Sequence, residues 1–155
     1  KYLVGSTTVP LSTGLLVDVD RYFTSLGEFR RGDAGPVIRE FANASRIAAA
    51  SGTQLVDNLA AQIEASRASL VGVRSDAAAW RVLPVLVGQP VVNSKYLINT
   101  LGLGEMTALR ALDVLTERGV LTETTGRTRA RVWQHRGIFE VLDDYSTKIR
   151  RMSVR

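Results

Sequence analysis

The chain has no cysteine. Disulfides and cysteine-metal sites are therefore excluded, which suits a reducing cytoplasm. No apolar run approaches the roughly 20 residues that span a bilayer, so no membrane partner is expected. The opening segment, KYLVGSTTVPLSTG, is broken by polar residues and Pro10, unlike a secretory signal. Lys1 stands where an initiator Met would, which suggests a position inside a longer protein. There is a single histidine, His135. Internal repeats and low-complexity tracts are absent as well.

What is present is 155 residues, enough for one domain or two small ones. A chain of this size buries roughly 70% of its unfolded surface. The net charge of +5 is unevenly spread. Residues 1–75 hold eight basic and seven acidic side chains, and residues 76–155 hold twelve and eight. Between 124 and 136 there are four arginines and no acid. A clustered excess of one sign fits a polyanion partner, although a solvated basic face reads the same way.

The first half predicts helices. Ser12 is a candidate cap for a helix over about 13–30, whose stripe is Leu15, Leu16, Val19, Tyr22, Phe23, Leu26 and Phe29, at steps of three and four. Gly32 and Asp33 stop it. Asp33 or Gly35 then opens a second helix with Pro36 in its first turn. Its apolar face runs through Val37, Ile38, Phe41, Ala44, Ile47 and Ala48, with a kink expected at Gly52, and resumes from Leu55 to Leu70. Such a broad stripe has to be buried against something. A junction is expected near 71–79, giving a helical segment over 1–73 and a second domain over 76–155.

The second half has a distinct order. A helix is expected over about 76–88, with Asp76 at its positive end and Pro84 kinking it or delaying its start. Val91-Val92 is extended. Asn93 or Ser94 caps a helix over 94–101, and Gly102 ends it. Leu103 fills the turn, and a helix follows from about 105 to 118. Gly119 stops it, and Val120 and Leu121 begin the first of two strands around an arginine-bearing loop. This is helix-turn-helix followed by a wing. The predicted fold class is mainly α: a helical segment followed by a winged helix-turn-helix with a small β-hairpin. The final stretch, GIFEVLDDYSTKIRRMSVR, reads as a last helix with a basic end, suited to dimerisation.

In such modules the start of the second helix lies at the major groove and the wing beside it. The candidate DNA contacts are therefore Lys95, Met106, Thr107 and Arg110, with Arg127, Arg129 and Arg131 in the wing. Arg110 suits guanine or a phosphate, and Thr107 bonds to either. Met106 and Leu109 offer only apolar contact, and Glu105 repels phosphate, so strong base recognition is not expected. Trp80 and Trp133 read as core or interface residues. Gly102-Leu103-Gly104 is a turn and not a phosphate loop, because no Lys-Ser/Thr follows.

Residues 1 to 60 resemble the part of Fic-domain proteins that follows their catalytic loop. The landmarks are a Pro-Ser entry (Pro10, Ser12), a helix carrying Tyr22-Phe23, the Arg30–Asp33 bend of the form RxGD, and a helix opening with Pro36. Many Fic proteins resembling this chain continue into a winged helix. Fic enzymes transfer AMP from ATP to a target hydroxyl, using a loop H-x-F-x-(D/E)-G-N-G-R whose histidine is the base and whose glycines cradle phosphate. That loop is absent here. His135, in VWQHRGIFE, does not match it and reads as a partly exposed residue at a strand end. The resemblance implies a fragment without adenylyl-transfer activity or a cofactor of its own, and ATP with Mg for the parent protein. The expected partners are double-stranded DNA, the Fic catalytic domain or a second copy. The alternatives are a protein-interaction or dimerisation module and a free-standing transcription regulator.

Overall fold

The computed structural model describes residues 10–126 and 130–153. They form a mainly helical protein with a small antiparallel sheet. The Cα packing separates two units. The first comprises residues 1–57 with 142–155, and the second comprises residues 58–141.

In the first unit the helix expected over 13–30 is two helices, α1 (Leu11–Leu15) and α2 (Val19–Arg30). The break has a local cause. Asp18 takes a non-helical backbone and its Oδ1 accepts the Arg21 amide at 2.9 Å, so Asp18 caps a new helix. Ser12, expected as the cap, lies inside α1, and Pro10 precedes it without a side-chain bond. Gly14 of α1 lies against α3 (Gly35–Ser69): a Cβ there would overlap the Ala44 carbonyl. Any larger residue would push α1 off α3. Asp33 Oδ1 accepts the Gly35 amide at 2.8 Å and so opens α3. The helix then continues through Gly52, where a kink was expected. Ala44, Ala48 and Ser51 are buried along it.

The second unit takes the end of α3 and adds α4 (Ala78–Gly88), β1 (Val91–Val92), α5 (Ser94–Leu101), α6 (Glu105–Glu117), β2 (Thr122–Glu123), β3 (Trp133–Gln134) and the start of α7 (Arg136–Ser153). α4 begins two residues later than expected and carries Pro84 inside it. Asp76 stands two residues before α4, where Arg74 holds its carboxylate at 2.9 and 3.2 Å, and Ala77 at the N-cap makes no side-chain bond.

Asn93 caps α5, its Oδ1 accepting the Tyr96 amide at 2.8 Å. Gly102 ends α5 at φ +63°, a left-handed conformation that favours glycine. Leu103 is buried in the turn, and α6 packs on both α4 and α5. Leu83, Leu86, Leu97, Leu112 and Leu115 are fully buried and form the centre of this core.

The strand expected from Val120 starts at Thr122 instead. Val120 and Leu121 are buried, and both their amides donate to the Leu115 carbonyl, at 2.9 and 3.1 Å. Closing the helix end takes these donors away from the sheet ladder. The sheet order is β1-β3-β2, with Trp133 opposite both Val92 and Glu123.

Candidate nucleic-acid interface

α6 buries Ala108, Ala111, Leu112 and Leu115, which are spaced to make one apolar face. The other positions are left outward. Glu105, Met106, Thr107, Arg110, Asp113 and Glu117 are exposed, and Leu109 is half-buried. Lys95 is exposed in the first turn of α5. The candidate helix residues therefore reach solvent. Three acids share that surface with one arginine, which is a weak match to a phosphate-lined groove.

Thr107 and Arg110 come together in a groove of roughly 380 Å³. The opposite wall is the 74–77 turn and the start of α4, including Arg74 and Asp76. The turn is fixed by its backbone. The Arg74 carbonyl accepts both the Ala77 amide and the Trp80 indole N–H at 3.0 Å. Neither Lys95 nor Met106 lines this groove.

The wing candidates divide. Arg127 and Arg129 lie outside the described residues. Arg131 is half-buried and already engaged. Its Nη2 donates to Glu123 Oε2 at 2.6 Å, and its guanidinium lies 4.6 Å from the Trp133 ring centre. Such a charge-assisted bond is among the stronger hydrogen bonds. Arg131 therefore holds the Glu123 carboxyl below the usual carboxylate range, and Glu123 in turn raises Arg131. Thr125 Oγ1 accepts the Val132 amide at 3.2 Å, and the Thr124 amide donates to the Val132 carbonyl at 2.9 Å. These bonds close the base of the hairpin.

His135 is not partly exposed, as its place at a strand end suggested. It is 2% exposed. Its Nδ1 accepts the Ile138 amide at 3.2 Å, so the ring proton sits on Nε2, 2.8 Å from Ser66 Oγ. Ser66 Oγ donates on to the Gln62 carbonyl at 2.9 Å. The imidazole thus caps α7 and ties it to α3, and burial lowers its pKa from the usual value. With both nitrogens bonded and no access from solvent, it offers no base for group transfer.

Sequence reasoning missed Arg74 and Asp76 as the groove wall and Glu123 as the partner of Arg131. A signal for the second was present. Glu123 and Arg131 bracket the hairpin with opposite charges, and the register that sets Glu123 opposite Trp133 brings Arg131 diagonal to it.

Among the described residues no cluster of three or more acids or histidines forms a metal-ligand set. No described helix is long and apolar enough to cross a membrane. No family model matches the chain. No curated protein matches it either.

Proposed function

We propose that this chain is a DNA-binding, regulatory winged-helix module of a Fic-family protein, working in the cytoplasm. The observation that carries this reading is the joined arrangement of α5, the Gly102 turn, α6 with Thr107 and Arg110 exposed, and the closed hairpin base that follows. In DNA-binding modules of this order a helix and a wing meet one duplex. Arg127 and Arg129 would add positive charge at the wing. The sequence lacks the adenylyl-transfer loop, and His135 fits neither ATP nor Mg. No transfer chemistry is assigned to this chain, and any such activity belongs to a parent protein.

Met106 and Leu109 leave α6 few polar groups for reading bases, which favours binding led by the phosphate backbone over base reading. The test is fluorescence anisotropy with labelled duplexes of unrelated sequence across a salt series. Expected is similar affinity for all, with log K falling linearly in log salt at about 0.9 per phosphate neutralised. Affinity that is insensitive to salt, or no binding in low salt, would sink the reading.

A second reading rests on Met106, which is 63% exposed, beside half-buried Leu109. This apolar spot suits docking on the Fic domain or on a second copy. Under that reading wild-type protein is a dimer by light scattering, and Met106→Glu makes it a monomer without unfolding it. A monomeric wild type removes the second-copy version.

A further inference from the structure

The groove side of α6 differs in charge from its outward face. Thr107, Arg110, Ala111 and Val114 line the groove beside the start of α4, at steps of three, one and three that keep them on one side of the helix. The groove wall holds two arginines and one acid, Arg74, Arg110 and Asp76. Arg74 grips Asp76 through two hydrogen bonds. Arg110 is left as the excess charge, with no ion pair among the described residues.

The outward face of α6 beside the groove is acidic. Asp113 and Glu117 do not line the groove. The Asp113 charge acts on Arg131, which Glu123 holds at 2.6 Å. A phosphate arriving there would have to displace one carboxylate and approach another.

We propose that a phosphate of the duplex backbone sits in the α4–α6 groove, held by Arg110 and Thr107, and that Arg131 is a positioning residue for the wing base that contacts no phosphate. This rests on the DNA-binding reading above. Both groove residues are hydrogen-bond donors, and a guanidinium matches a phosphate through two parallel N–H···O bonds. The assignment makes Arg110 a residue that positions the module on any sequence and not one that reads a base.

The experiment compares wild type, Arg110→Gln, Arg110→Lys and Arg131→Gln for duplex binding across salt. It adds amide NMR spectra recorded with inorganic tripolyphosphate. Arg110→Gln is expected to reduce the magnitude of the log–log slope by about 0.9 and to weaken all duplexes alike, and Arg110→Lys to restore the slope. Arg131→Gln is expected to keep the wild-type slope while lowering affinity, with a change in Trp133 fluorescence as the cation leaves its ring. Tripolyphosphate is expected to shift the Ala78 and Thr107 amides and to leave those of Glu123 and Val132 in place. An unchanged slope in Arg110→Gln, or a reduced one in Arg131→Gln, overturns the proposal. If duplex fails to bind but tripolyphosphate moves the groove amides, the DNA reading falls and the anion groove stands. If those amides stay still, the groove is wrong whatever the duplex does.

Discussion

His135 shows most clearly how one residue's environment decides its role. A histidine at a strand end in a basic stretch reads as a surface group. In the fold its two nitrogens meet a backbone amide and a serine hydroxyl, and desolvation disfavours its charged form. A proton on Nδ1 would remove the acceptor that Ile138 needs. The folded pKa lies below the ordinary value of 6.5, so between the two the unfolded chain binds more protons. The stabilisation is complete above pH 6.5 and is lost as pH falls through the lower folded value. No other histidine is present, and carboxylates titrate mainly below about pH 5. Urea melts between pH 7.5 and 5.5 should show stability declining with acid, and His135→Gln should flatten that decline. His135→Ala should cost about 1–3 kcal/mol at pH 7.5 by orphaning buried polar partners. A pH-independent wild type would contradict this account.

Elements follow from caps and turns. Asn93 and Gly102 bracket α5, and both were legible because their chemistry is local: a side-chain acceptor for an amide two residues into the helix, and a left-handed residue at its end. Asn93→Ala should cost about 1 kcal/mol, and Gly102→Ala a further 1–2 kcal/mol or so for a φ of +63°. Denaturant midpoints would check both, and unchanged midpoints would show that α5 is held by packing alone. The division of the first helix at Asp18 was not legible. The stripe from Leu15 to Phe29 keeps helical spacing across the break, and nothing in that periodicity registers a capping carboxylate. Hydrophobic spacing likewise placed a strand at Val120-Leu121, whereas the end of α6 claims those amides.

At the scale of the molecule, burial sorts the apolar residues into two roles. Leu112 is fully buried and Met106 is 63% exposed on the same helix. Leu112→Ala should therefore cost about 2–5 kcal/mol, while Met106→Ala should stay within about 0.5 kcal/mol. Thermal denaturation distinguishes them, and comparable losses would mean that Met106 is covered in solution. Leu16, Phe23, Phe29, Ile38 and Phe41 are exposed in the first unit, although all five belong to the stripe expected to be buried against something.

By itself the sequence determined the predominance of helix, the helix-turn-helix and hairpin order, the Gly102 turn and the outward face of α6. These depend on neighbours three or four positions apart, and such spacing survives without a fold. Only the tertiary structure decided which charges are spent. Arg131 meets Glu123 across the hairpin, and His135 reaches Ser66 sixty-nine residues away. A charge's availability depends on who stands within about 4 Å of it, and for Arg131 and His135 that neighbour is set by strand register and helix packing.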